Sequence, residues 1–299
     1  MTMFAGFRDE RIVLSTGISI RARIGGDGPP VLLLHGYPQT SACWHAVAPR
    51  LIAAGFTVVA TDLRGYGASD KPHSSPDHLT YSKRAMAADQ VEVMRRLGHN
   101  RFSVAGHDRG GRVARRLALD HSNAVERFAV LDIAPTATMY ANTDREFATH
   151  YYHWFFLIQP APLPEKLIGA DPDFYLRSKL AAWGKSGMAV FSNAAVDEYC
   201  RSFRDPASIS ATCEDYRAAA SIDLVHDAGD EDRRIDAPLL ALWGTKGLVG
   251  KLYNVVETWE ETAPNVTGHG IAVGHFLPEE APQETADALI SFFSASSAA

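Results

Sequence analysis

Five short apolar runs, each closed by turn-forming residues, recur along the 299-residue chain and alternate with segments of helical period. They are Val31 to Leu34, Phe56 to Thr61, Phe102 to Ala105, Phe128 to Ile133 and Pro238 to Trp243. Runs this short and this apolar read as strands covered on both faces, as in a parallel sheet. Between them, Ala87, Val91, Met94 and Leu97 repeat at helical spacing before Gly98, and Ala286, Leu289, Ile290 and Phe293 do so after Pro282. Strand alternating with helix predicts an α/β fold with helices on both faces of a mostly parallel sheet. Arg11 to Ile24 alternates apolar and polar residues about Gly17, as a hairpin at the sheet edge would.

The rhythm breaks between Tyr140 and Tyr216. That span shows no clean strand but does show helical stretches, such as Asp173 to Trp183 and Val196 to Phe203, and it holds 14 of the chain's 29 aromatic residues. Aromatics concentrated in a helical insertion suggest a cover over a pocket. We therefore expect a core of residues 1–138, a helical cap over 139–225 inserted after the sixth strand, and a second core segment over 226–299.

Composition narrows the partners. With 46% hydrophobic and 21% charged residues the chain is neither disordered nor fibrous. Its net charge of −6, without a Lys/Arg block, argues against nucleic acid, which needs clustered positive charge. Cys43, Cys200 and Cys213 are scattered and odd in number, so neither a disulfide framework nor a thiolate zinc cluster is expected. Met1 to Gly17 contains no signal-peptide core, and no apolar run nears the roughly 18 residues of a membrane span. A cytoplasmic location follows as an expectation. The small-residue tail Ser294 to Ala299 is the one segment of low complexity.

The chemistry starts at Gly106-His107-Asp108-Arg109-Gly110, which follows a predicted strand and precedes the helical pattern Val113 to Leu119. In the G-x-S-x-G form of this turn, flanking glycines allow a tight strand-to-helix bend that projects the central side chain from the top of the sheet. Here that side chain is a carboxylate. His35-Gly36-Tyr37-Pro38 closes the first buried run, where α/β hydrolases place an oxyanion-hole loop, so the hole would use the backbone N–H groups of Tyr37 and Arg109. Asp62 to Ser69 (DLRGYGAS) ends the next run, and Gly274-His275-Phe276 lies before the last helix. The chain order nucleophile, acid, histidine is then met by Asp108, Asp132 and His275. The more usual acid position, after Trp243, reads Gly-Thr-Lys-Gly, and Asp236 sits at the wrong strand end, which leaves Asp132 to orient His275.

An ionised aspartate can displace a leaving group at saturated carbon without first losing a proton. It forms an alkyl ester, which His275 would hydrolyse by activating water. That is carbon–halogen or epoxide hydrolysis rather than ordinary ester cleavage. Arg109 and Arg112 lie on one side of the first helical turn beside the nucleophile. They suit a carboxylate substrate, whose repulsion from Asp108 amounts to about 4 kcal/mol at 4 Å and an effective dielectric of 20. Their alternatives are a salt bridge from Arg112 to Asp108, or exposure of Arg112 beside Arg115 and Arg116. In the aromatic span His153, Trp154 and Tyr216 offer N–H and O–H donors for a departing halide, although they also suit an aromatic core. His150 and His153 lack a third ligand at metal-site spacing, so no metal and no cofactor is expected.

Over nearly its whole length the sequence resembles the haloacetate dehalogenases, the fluoroacetate dehalogenase branch of the α/β-hydrolase superfamily. The resemblance is carried by His35 to Thr40 (HGYPQT), Gly106 to Arg112 (GHDRGGR), Leu131 to Thr136 (LDIAPT), His153-Trp154, Gln159 to Pro164, Asp171 to Tyr175 (DPDFY) and Gly274 to Pro278. It implies an α/β-hydrolase fold, Asp108 as nucleophile, His275 and Asp132 completing the triad, Arg109 and Arg112 on the substrate carboxylate, and His153, Trp154 and Tyr216 on the halide. It also implies a small haloacid as partner and a homodimer. An epoxide hydrolase, with Tyr151, Tyr152 or Tyr216 protonating the opening oxygen, and a binding protein that retains a hydrolase pocket are the other readings.

Overall fold

A computed structural model describes residues 3–295; Met1, Thr2 and residues 296–299 of the small-residue tail lie outside the described residues. Eight strands form one sheet: β1 (Arg8–Val13), β2 (Ser19–Gly25), β3 (Pro30–Leu34), β4 (Thr57–Thr61), β5 (Phe102–His107), β6 (Val125–Leu131), β7 (Leu239–Gly244) and β8 (Val266–Ile271). Their order across the sheet is β1-β2-β4-β3-β5-β6-β7-β8. Only β2 runs against its neighbours, and every pair from β4 to β8 is parallel. The apolar runs become strands because their side chains leave water on both faces: Val31 to Leu34, Val58 to Ala60 and Leu239 to Leu242 are almost wholly buried. Removing one such leucine side chain would cost about 2–5 kcal/mol.

Two differences from the sequence reading have plain causes. The third and fourth runs are displaced, β5 continuing through Gly106 and His107 and β6 beginning at Val125, because strand pairing rather than apolarity sets where a strand ends. The edge strand β8 carries no apolar run: Val266 to Gly270 alternate between half-buried and exposed, only Ile271 is buried, and β7 alone pairs with it.

Helices α1 (Ala48–Ala53), α2 (Lys83–Arg96) and α3 (Arg109–Asp120) connect the early strands. Between β6 and β7 the chain forms eight α-helices and one short 3-10 helix in succession, from Thr136–Ala141 to Ile222–Gly229, with no strand among them. The segment closes on β7, and the last helix, Pro282–Ser294, follows β8. No described helix is long and apolar enough to cross a membrane. The carboxyl ends of β5, β6 and β8 thus face the same edge of the sheet, where open α/β sheets bind ligands.

Candidate active site

Asp108 stands between β5 and α3 with φ +47°, a backbone conformation that disfavours a side chain with a Cβ. The turn closes only because its flanks are bare. A Cβ on Gly106 would meet the Gly110 carbonyl oxygen at 2.3 Å, and one on Gly110 would meet the His35 and Leu34 carbonyls at 2.5 Å. The Asp108 carboxylate accepts a hydrogen bond from the Tyr37 N–H at 2.9 Å, so one donor proposed for the oxyanion hole already faces the nucleophile. Arg109, whose N–H is the other, opens α3. Burial pushes the Asp108 carboxyl up, but the neighbouring His275, with the positive charges of Arg109 and Arg112, outweighs it and holds the carboxyl below its ordinary range.

Asp132 follows β6 and also has positive φ, +53°. One of its oxygens accepts the Gly244 N–H at 2.9 Å and the other accepts His275 Nδ1–H at 2.6 Å. His275 therefore presents Nε2 as its free nitrogen. Its backbone is held from both sides, the N–H donating to Trp183 O at 3.1 Å and the carbonyl accepting from His107 Nε2 at 2.8 Å. Burial lowers the His275 pKa, but the bond and charge of Asp132, with the charge of Asp108, raise it above its ordinary value. His107, pushed down to about 3 by burial and by His275, is a neutral brace.

The two arginines differ. Arg109 places Nε 3.0 Å and Nη2 2.6 Å from the carboxylate of Asp215, and its guanidinium lies 4.2 Å from the Tyr216 ring centroid. Its Nη1 is buried without a partner. Arg112, 4% exposed, forms no ion pair with Asp108 or with any other carboxylate among the described residues. It donates to Ala134 O at 3.1 Å and Thr136 Oγ1 at 2.7 Å and stacks 4.8 Å over Trp154. Burial and the charge of Arg109 lower its pKa to about 10, which leaves it cationic at neutral pH. Neither alternative sequence reading of Arg112 describes it, because the side chain is both buried and unpaired with acid.

His153 and Tyr216 approach the same place. Their rings lie 5.6 Å apart, both pack against Tyr37, and both carry a buried polar atom, Nδ1 and the hydroxyl, with no hydrogen-bond partner. Trp154 reaches Tyr216 at 6.4 Å. Unpartnered buried polar groups are rare and call for a ligand or water. Tyr151 packs edge-on to His275 at 6.4 Å, whereas Tyr152 is 48% exposed and its hydroxyl accepts from Lys179. Asp236, exposed ahead of β7, stays away from the site. Among the described residues no cluster of three or more His, Cys, Asp or Glu could hold a metal.

Two parts of the site escaped sequence reasoning. Asp215 is fully buried and gathers Arg109, Lys83 and the Tyr66 hydroxyl, the last at 2.7 Å. Burial raises its carboxyl, but Arg109 and Lys83 hold it far below its usual range. The only hint in the sequence is an acid next to Tyr216. Trp183 stands 4.4 Å from His153 and 5.7 Å from His275, with no signal beyond being aromatic.

The family model for the alpha/beta hydrolase fold matches residues 29–282, and the eight-stranded, mostly parallel sheet with its helices is that of an α/β hydrolase. A fluoroacetate dehalogenase from Burkholderia sp. is 47% identical over 98% of this chain and 95% of its own length. A soluble epoxide hydrolase from Corynebacterium sp. is 36% identical over 90% of this chain and 91% of its own. A solved protein from Nostoc sp. PCC 7120, assigned to the α/β hydrolases, is 56% identical and superposes with a TM-score of 0.96, covering 98% of this chain and 100% of that one. The chain belongs to the haloacetate dehalogenase family of the α/β-hydrolase superfamily.

Proposed function

We propose that this hydrolase cleaves the carbon–halogen bond of a haloacetate, in the first place fluoroacetate, giving glycolate and halide. The observation that carries the reading is Arg112, a buried cation with no carboxylate partner, one helical turn from an ionised aspartate. A buried unpaired charge is too costly to persist without use, and a substrate carboxylate is the counter-ion that would repay it. The fluoroacetate dehalogenase among the relatives supports the same substrate class.

In the first step an oxygen of Asp108 attacks the halogen-bearing carbon while Arg109 and Arg112 hold the substrate carboxylate. The carbon–oxygen bond forms, the carbon–halogen bond breaks, and the halide leaves with the electron pair toward His153, Trp154 and Tyr216. In the second step His275 Nε2 takes a proton from water as its oxygen adds to the ester carbonyl of Asp108. The tetrahedral anion is stabilised by the N–H groups of Tyr37 and Arg109. Collapse returns the carboxylate and expels glycolate, protonated by His275. The net exchange is haloacetate plus water for glycolate, halide and a proton. Asp132 holds His275 in the tautomer that leaves Nε2 basic. Residues 139–225 act as the cap that keeps bulk water from the first step, between core segments 1–138 and 226–299.

A single turnover with excess enzyme in ¹⁸O-water tests the scheme. The label is expected in the Asp108 carboxylate and not in the first glycolate; label in that glycolate would mean direct attack by water and would end the proposal. Epoxide hydrolysis is the second reading, favoured by Tyr151 and Tyr216 beside the triad and by the epoxide hydrolase relative. A neutral epoxide, however, gives Arg112 no counter-charge, and the Tyr152 hydroxyl is engaged by Lys179. A screen of neutral epoxides separates the two. A homodimer in a reducing cytoplasm completes the proposal. The buried free cysteines suit that compartment, and the family resemblance is what carries the dimer.

A further inference from the structure

A cavity of about 390 Å³ opens beside the catalytic histidine, with buried His275, Trp183 and Lys179 on its walls and exposed Lys185, Lys246 and Lys251 also lining it. Its charged lining is one-sided: four lysines against Glu146, which is itself paired with Lys251. This contrasts with a chain whose net charge is −6. At physiological salt charges are screened beyond about 8 Å, so an approaching anion responds to the local lysines and not to the net charge.

Lys179 stands apart from the other three. It is 3% exposed and has no carboxylate partner among the described residues. Its ammonium lies 3.9 Å from the Tyr152 ring centroid and 4.8 Å from that of Tyr175, and it donates to the Tyr152 hydroxyl. Burial lowers its pKa to about 8, which leaves it largely cationic at neutral pH. The triad chemistry does not use it.

We propose that this cavity is the entry site for a small carboxylate anion, in which the exposed lysines gather the anion and Lys179 binds it before it passes to Arg109 and Arg112. The inference rests on the haloacetate reading. An anion entering a buried site loses water, and a cation already stripped of water and lacking a counter-ion offsets that loss. Lys179 is on this view a specificity residue that acts on entry and leaves the chemical step alone.

The test compares kcat and KM for chloroacetate in wild type, Lys179→Met, Lys179→Arg and the double variant Lys246→Gln/Lys251→Gln, at low and at high salt. Lys166→Gln, an exposed charge outside the cavity, is the control. Expected are a roughly tenfold rise in KM for Lys179→Met with kcat within about twofold, recovery in Lys179→Arg, and a roughly threefold effect with a flattened salt dependence in the double variant. Acetate inhibition should weaken by the same factor in Lys179→Met while bromide inhibition holds. Bromide alone weakening would assign the cavity to halide exit and overturn the proposal. An unchanged KM and salt dependence in Lys179→Met, with an unaltered unfolding midpoint, would also overturn it. If wild type turns over no haloacetate, the function proposed above has failed instead. Calorimetric acetate binding to wild type and Lys179→Met then still reads the site, and equal affinities would sink it.

Discussion

Helix α3 carries two arginine pairs one turn apart. Arg115 and Arg116 end on acids: Arg115 reaches Asp227 at 2.6 Å, and Arg116 reaches Asp227 at 2.7 Å, Asp230 at 2.5 Å and Asp120 at 3.1 Å. Of Arg109 and Arg112, at the start of the helix, only Arg109 reaches a carboxylate among the described residues, that of Asp215, which also binds Lys83. Arg109, Arg112 and Arg116 are buried and Arg115 is half-buried, yet of the four only Arg112 has no acid partner among the described residues. A compensated buried charge ties segments together; here it joins α3 to the last helix before β7. An uncompensated one lowers stability until something else supplies the opposite charge. The later pair thus belongs to the architecture, and Arg112, with the unpartnered Nη1 of Arg109, is left for a ligand.

The largest expected effect tests whether the acid beside the first pair reacts. Asp108→Asn should lower haloacetate turnover by at least about 10⁴-fold. His275→Ala should stop after one halide per enzyme, leaving Asp108 heavier by one carboxymethyl group in the mass spectrum.

Arg112→Leu should cut kcat/KM by about 10³-fold, the equivalent of about 4 kcal/mol of anion compensation, while the protein unfolds at the same or higher denaturant. Arg116→Leu should do the reverse, leaving kcat/KM within about threefold and lowering stability by about 2–3 kcal/mol, because Asp227 and Asp230 lose a partner. If both variants lose stability equally and activity equally, the distinction between the pairs is wrong.

The pH profile follows in size. Hydrolysis of the Asp108 ester needs neutral His275, whose pKa lies above 6.5, so the rate of that step in single turnovers should fall as pH drops through a midpoint higher than 6.5. Asp132→Asn should move that midpoint down. Because folding raises this pKa, protonated His275 stabilises the fold below pH 6.5 while Asp132 is ionised, and that contribution is lost as pH rises through the folded value. Urea midpoints across that window, in wild type and Asp132→Asn, check the sign. The smallest effect belongs to Tyr216→Phe. Removing its unpartnered hydroxyl should slow defluorination about tenfold and debromination less, since fluoride needs hydrogen-bond donors most.

How much was legible beforehand depended on whether the signal was local. The acidic turn could be read because Gly106 and Gly110 are steric necessities of a bend that spans five residues. The buried strands could be read because apolar runs record removal from water. β8 could not, since an edge strand with two glycines draws its order from β7. Trp183 could not either, because nothing within a few residues of it marks a role, and for Asp215 the one local hint, its place next to Tyr216, says nothing of Lys83, Tyr66 and Arg109, the three distant parts of the chain that it meets.

By itself the sequence determined the alternation that makes the α/β sheet, the acidic turn, and the residue types available for a triad. Only the tertiary structure decided that Asp132 meets His275, that Arg112 is buried without an acid, and that Lys179 stands over the aromatic rings of the cavity. The physical reason is range. Backbone conformation and periodic burial are written within a few residues, whereas whether a charge finds its counter-ion depends on side chains brought together from distant parts of the chain.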